Sequence, residues 1–427
     1  MSSAPPQKEK KKLTYAQRKR RHDIKRAIFF TVCALILFLV IWGIVKLVSW
    51  GIGAITGDST GESVMEEVSP SPLPTLSPTP EPARTATVLA VGDNLIHDTV
   101  YEYAEMEDGT YDFTEIYSYL KDEIAAADLA CIQQETIFVK DPSLYSNYPA
   151  FGTPDYMADS LAALGFDVVC HASNHTYDKV DTGVYDTLEK WKEYPQVTVL
   201  GIHESQADAE TIQVVEKNGI RIALFNYTYG LNYSLPSDGW LIDFIDESHR
   251  DGILAQINAV KEKDLADFII VFMHMGDENA LKANGDQKEW AQFFADNGVG
   301  LVIGTHSHSV QPVEVYTGVW GNEMPIFYSL GNFISSQKET VNMLGAMAKA
   351  TITKDESGTY VSDYTIEPLV TWIQGGSGKG TGYIFHVMHL EDYTDEMGLQ
   401  HIRSSCMPAD FQNVWTQIFE TENYYAE

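Results

Sequence analysis

The chain has 427 residues, 44% hydrophobic and 11% aromatic, ample for a buried core and too apolar for general disorder. Its formal net charge of −31 is split: residues 1–26 hold ten Lys/Arg against Glu9 and Asp23, whereas the chain after Lys46 carries 18 bases and 58 acids, a net of −40. So acidic a body excludes nucleic-acid binding, which relies on neutralising phosphates, and four cysteines in a chain this long exclude a disulfide scaffold.

Residues 27–45, AIFFTVCALILFLVIWGIV, form an uncharged run. At ~1.5 Å per residue it spans roughly 28 Å, close to the hydrocarbon thickness of a bilayer. Trp42, Trp50 and a snorkelling Lys46 suit its interfacial edge. The run is longer than a usual signal-peptide core, and no clean small-residue cleavage site follows it. The early bases precede it and residues 47–83 contain no Lys or Arg, so the positive-inside rule predicts a cytoplasmic N-terminus and an exported body. The expected order is a basic tail (1–26), a transmembrane signal anchor (27–48), a stalk (49–84) and one extracellular domain (85–427). Pro70, Pro72, Pro74, Pro78, Pro80 and Pro82 favour a semi-rigid, extended spacer.

Beyond Thr85, short β-branched runs alternate with amphipathic stretches. Strands are expected at 87–91, 129–133, 167–170, 197–200, 268–272 and 299–303, and helices at 113–127, 154–164, 183–194, 249–261 and 287–296. Thr153-Pro154-Asp155 reads as an N-cap, first-turn proline and favourable acid. Lys217-Asn218-Gly219 reads as a hairpin turn between two strands. A strand-rich region over 313–390 and a last helix at 408–420 follow. Alternation and then a β-rich tail predict an α/β domain of two packed sheets with helices outside.

The strand ends are chemically unusual. They read Gly92-Asp93-Asn94-Leu95-Ile96-His97, Gln133-Gln134-Glu135-Thr136, His171-Ala172-Ser173-Asn174-His175 with Asp178, His274-Met275-Gly276-Asp277-Glu278, and Gly304-Thr305-His306-Ser307-His308. Carboxyl ends of strands are where open α/β sheets place their sites. Each element alone also fits a turn or a hydrogen-bonded histidine; together, always after strands, they predict a metal centre. Its donors are oxygens and imidazoles with no thiolate, which suits Mn, Fe or Zn, and carboxylates can bridge two such ions. His306 and His308, two apart, aim to one side if the segment is extended. Met273 and Met275 read as core residues. Gly375–Gly380 reads as a flexible loop, and Tyr227–Tyr233 either lines a polymer groove or packs at a strand end.

This order of motifs, closing with Tyr328-Ser329-Leu330-Gly331-Asn332-Phe333, resembles the poly-γ-glutamate capsule-synthesis (CapA-type) family, a branch similar to calcineurin-like metallophosphoesterases. The resemblance covers about residues 85–340. It implies a four-layer α/β/β/α metallophosphatase-like sandwich and a centre of two divalent ions. It also implies metal-binding roles for Asp93, His97, Glu135, Asn174, His274, His306 and His308. His175 becomes the proton donor or charge stabiliser, with Asp178 orienting it or serving a local turn. Gln133-Gln134 and His171-Ala172-Ser173 depart from the family pattern, which bears on substrate and metal occupancy rather than on fold.

Three functions stay open at this stage. The first is a membrane-anchored, cell-surface protein of poly-γ-glutamate capsule synthesis or export, working with polymer synthase subunits. The second is an extracellular metallophosphoesterase acting on envelope phosphoesters. The third is a non-catalytic scaffold of a polymer synthase.

Overall fold

In a computed structural model, which describes residues 82–375 and 382–419, the apolar runs after residue 84 become the strands of two sheets. The basic tail, the apolar run 27–45, nearly all of the stalk and most of the glycine-rich loop at 375–380 lie outside the described residues. No helix among the described residues is long and apolar enough to cross a membrane.

The larger sheet runs, in spatial order, Tyr383–His389, Gly358–Gly375, Leu344–Asp355, Arg84–Asn94, Leu129–Gln133, Val168–Cys170 and Thr198–Leu200. Asn332–Ile334 pairs with the end of Arg84–Asn94. The second sheet runs Val313–Thr317, Glu323–Phe327, Leu301–Thr305, Phe268–His274, Ile220–Thr228 and Gln213–Lys217. The larger sheet is parallel from Arg84–Asn94 to its Thr198–Leu200 edge and antiparallel on its other half, whereas the second sheet has a parallel centre and antiparallel edge pairs, so the fold is mixed α/β.

The period-2 alternation of side chains explains how these sheets are buried. Ile222, Leu224, Ile270, Phe272 and Ile303 from the second sheet share one core with Val88, Ala90 and Ile132 from the first. The intervening residues Ala223, Phe225, Ile269, Val271 and Met273 face the other way. They pack with Ile253 and Ile257 of the Arg250–Glu262 helix and with Trp290 and Phe294 of the Gly285–Asp296 helix. The buried Val, Leu, Ile, Phe and Met side chains among them contribute ~1.5–3 kcal/mol each. Met273 and Met275 belong to this second core, as expected.

Parallel register brings the chemical strand ends level. Asp93 lies opposite Gln133 and Gln133 opposite Cys170, while Thr228 lies opposite His274 and His274 opposite Thr305. Close backbone approach at this edge demands glycine at position 92, where a Cβ would come within 1.9 Å of the Gly331 carbonyl oxygen. The same carbonyl accepts the Asp93 amide at 2.9 Å and so fixes the direction in which Asp93 leaves the strand.

Local readings fared unevenly. The hairpin forms with Asn218 and Gly219 at φ +53° and +75°, the left-handed pair that a tight hairpin turn requires. The helix expected over 113–127 is broken into a 3-10 turn, Thr114–Tyr117, and a short helix, Lys121–Ala126. The Ser118 hydroxyl bonds back to the Glu115 carbonyl at the break. Thr153–Pro154 is not a helix cap but a two-residue strand paired with Phe138–Val139, and the helix begins at Tyr156. The helix expected from Gln287 starts two residues earlier because Asn284 and Gln287 form a reciprocal capping box.

Candidate metal centre

Asp93, Glu135 and His308 leave three different strand ends and converge, each offering a ligand atom within 4.8 Å of the others. Asp93 and Glu135 are fully buried, and His308 is 4% exposed. His308 Nδ1 lies 3.8 Å from Glu135 Oε2 and 3.9 Å from Asp93 Oδ2. The Asn332 side-chain oxygen, 3.0 Å from the same nitrogen, steadies the ring. His274 joins the group from the second sheet, its Nδ1 3.4 Å from Asp93 Oδ1 and its Nε2 4.0 Å from Glu135 Oε1. Asn174 arrives through His274, with Oδ1 2.9 Å from Nε2.

His306 stands at the margin, its ring 4.9 Å from that of His274 and 6.1 Å from that of His308. Its backbone amide donates to Asp93 Oδ2 at 2.9 Å. The His-Ser-His segment is not extended: His306 and His308 have φ of +92° and +54°. Left-handed backbone at non-glycine residues costs ~1–3 kcal/mol each and tends to persist where function or surrounding contacts enforce it. Here Asn342 donates to the His308 carbonyl and the Asn279 amide to the Ser307 carbonyl, which pins the turn.

His97 lies outside the close group. Its Nδ1 faces the Leu95 carbonyl at 3.2 Å and the Ser336 amide at 3.3 Å, and burial pushes its pKa down to about 4. Phe151 stands edge-on between His97 and His175, with ring centroids at 5.3 and 4.7 Å. His175 Nδ1 is 2.6 Å from Asp178 Oδ2, which also accepts the Phe151 amide at 2.8 Å. The two departures from the family pattern turn away from the centre. Gln133 bonds Ala172 and Asn226, and Gln134 bonds Asn94 and Thr136. His171 accepts from the Trp191 indole at 2.8 Å, while the Ser173 hydroxyl holds the Glu135 carbonyl at 2.7 Å.

Burial, then the charges of Asp93, Glu278 and Asp178, holds the Glu135 carboxyl well above its ordinary pKa. Burial and the neighbouring histidines push His306 down to about 2, and burial also lowers His308. Asp93 Oδ1, both Glu135 oxygens and His306 Nδ1 are buried with no hydrogen-bond partner. Buried polar atoms are nearly always satisfied, so three carboxylate orphans within this group and an imidazole orphan at its margin fit a divalent cation. A second acidic group, Glu123, Glu367 and His389, already encloses an ammonium, Lys349 Nζ, at 2.5 Å from Glu123 and 2.7 Å from Glu367.

Sequence reasoning passed over Asn232 and Asn332 as individual site residues. Asn332 lies in the closing motif, and Asn232 follows a strand end as the other site residues do. The profile of the bacterial capsule synthesis protein family PGA_cap matches residues 87–337, more than half of the chain. The chain belongs to this family. All nine expected site residues of this capsule synthesis family member lie within the matched span. The capsule biosynthesis protein CapA of Bacillus anthracis is 27% identical over 302 residues, 69% of each chain. The PGA biosynthesis protein CapA of Bacillus subtilis (strain 168) is 29% identical over 207 residues, 47% of this chain and 50% of that one. Among solved structures, a calcineurin-like phosphoesterase of Bacillus subtilis aligns at TM-score 0.41 and 12% identity, covering 79% of this chain and 99% of that one. A phosphatase of Mycoplasma pneumoniae aligns at TM-score 0.39 and 14% identity, covering 67% and 94%. These structural likenesses are loose, and the family assignment rests on the sequence match.

Proposed function

We propose that this chain is a membrane-anchored, cell-surface component of capsule polymer synthesis or export, with poly-γ-glutamate as the polymer. Its metal centre hydrolyses or transfers a bond in that polymer. The single observation that carries the reading is the set of buried, unpartnered carboxylate oxygens of Asp93 and Glu135 among the imidazoles of His274, His306 and His308. In this reading the two sheets and their flanking helices are the four layers of a metallophosphatase-like sandwich. Two divalent ions, drawn from Mn, Fe or Zn, are held by Asp93, Glu135, Asn174, His274, His306 and His308, with His97 at the margin. Bound there, they supply Lewis acidity and an acidified water.

The remaining chemistry belongs to side chains. Asp178 Oδ2 holds His175 Nδ1, so the neutral ring keeps its proton on Nδ1 and presents Nε2 as the basic nitrogen. From there His175 takes a proton and returns it to a leaving group, a contribution typically worth ~10²–10⁴-fold. Asp178 keeps the ring in that tautomer. The cytoplasmic tail, the span over 27–48 and the stalk place the domain outside the cell beside polymer synthase subunits.

The test is an assay of the purified full-length chain in detergent, metal-loaded, against poly-γ-glutamate and a panel of phosphodiesters side by side. Cleavage or transfer at the polymer amide is expected. Turnover of phosphoesters alone would make the protein an extracellular metallophosphoesterase. Bound metal without turnover on either would make it a scaffold of the synthase.

A further inference from the structure

The loop after the Ile220–Thr228 strand lies across the centre. The Tyr229 ring packs on His306 with centroids 4.6 Å apart, and the Tyr229 amide donates to the His274 carbonyl at 3.1 Å. Three residues on, the Asn232 amide donates to the Asn174 carbonyl at 3.0 Å. The Asn232 side-chain oxygen accepts from Asn174 Nδ2 at 3.3 Å. That second bond sets which way the Asn174 carboxamide faces, with Oδ1 toward His274 and the centre.

Asn232 Nδ2 is 3.3 Å from His175 Nδ1 and 3.2 Å from His175 Nε2. A donor in the ring plane approaches one nitrogen and stands well away from the other, or it collides with the carbon between them. Near-equal distances therefore put the Asn232 amide over the face of the imidazole. Phe151 meets the same ring at 82°, and Asp178 holds Nδ1. These three contacts leave Nε2 free in the ring plane. Asn232 is itself open to solvent, whereas His175 is only 5% exposed. An exposed loop residue thus covers a buried reactive one.

We propose that Asn232 is a positioning residue for the reaction: it holds the plane of the His175 ring while orienting the Asn174 carboxamide. This rests on the reading of His175 as the proton-transfer group. Asn232 takes no proton itself; it acts through its two neighbours. The Tyr229–Asn232 segment then ties both margins of the centre, His306 and His175, to one loop.

The test is Asn232→Ala in the full-length chain. With a phosphodiester or poly-γ-glutamate, whichever the wild type turns over, kcat should fall about 10–100-fold, the scale of a small misplacement of a reacting group. KM, metal content by elemental analysis and melting temperature should stay at wild-type values. Wild-type kcat would overturn the proposal, and so would a loss of metal or of melting temperature alongside activity. A second readout needs no substrate: the ring signals of ¹³C-labelled histidines in the zinc-loaded chain, with that of His175 identified by its absence in His175→Gln. The His175 signal should shift or broaden in Asn232→Ala while the other histidines stay in place, and an unmoved His175 signal would overturn the proposal. A wild type without turnover would count against the proposed function alone, because this readout would still decide the role of Asn232.

Discussion

Glu135 is fully buried, neither of its carboxylate oxygens has a hydrogen-bond partner, and Asp93 is equally buried beside it. Without a cation, an ionised Glu135 is a desolvated charge facing another carboxylate, and a buried unpaired group costs ~1–3 kcal/mol, more when charged. Glu135→Gln removes the charge and keeps the shape. In chelator the variant should therefore be the more stable protein by about 1–3 kcal/mol, or roughly 2–6 °C in melting temperature. With metal the order should reverse. At 100 times its Kd an ion stabilises the folded wild type by ~2.7 kcal/mol, a gain the variant forgoes in part. The pH dependence carries a sign as well. The folded-state pKa of Glu135 is raised, so the unfolded chain gives up its proton first. Metal-free wild type should then lose stability as pH rises above the ordinary carboxylate range, and Glu135→Gln should not show that loss. Differential scanning fluorimetry with and without chelator checks all of this. The same melting order in both conditions would refute the argument that these oxygens wait for a cation.

Other consequences are simpler to state. Asp178→Asn should turn the His175 tautomer around and lower kcat by ~10²–10⁴-fold with metal content kept, as measured by steady-state kinetics on metal-assayed samples. His171, outside the centre, is held down to about 3 by burial, so its neutral form is favoured by folding. Its contribution should be intact above pH ~6.5 and fall by about 2 kcal/mol on going down to pH 5, and His171→Gln should remove that part of the acid sensitivity in urea titrations. Reporter fusions placed after residue 60 should be active outside the cytoplasm. A cytoplasmic reporter would contradict the proposed topology.

The parts of the fold that were legible in the sequence are those where one physical signal acts alone. Leu129–Gln133 is buried on both sides and reads as an unbroken apolar run, so its limits agree with the structure. Asn218-Gly219 is a turn whatever surrounds it. The misreading of Thr153-Pro154 has a different origin: pairing with Phe138–Val139, a tertiary contact, outweighed a good local cap. The metal donors were legible because polar residues directly after apolar strands are conspicuous. The shape of the His-Ser-His turn was not, since its left-handed residues are enforced by Asn342 and Asn279, remote in sequence. His97 looked equivalent to the other histidines, yet its ring lies outside the close group, with Nδ1 beside the Leu95 carbonyl and the Ser336 amide. Asn232 sits in the Tyr227–Tyr233 stretch, which reads equally as a groove wall or as strand-end packing, and only the path of its loop brings it over His175.

The central claim is that a metal centre and a proton-transferring histidine stand side by side and can be separated. Turnover and metal content measured on the same preparations of wild type and His175→Ala test it most directly. The account predicts equal metal and a turnover lower by ~10²–10⁴-fold in the variant. Equal turnover at equal metal, or metal lost together with activity, would contradict it.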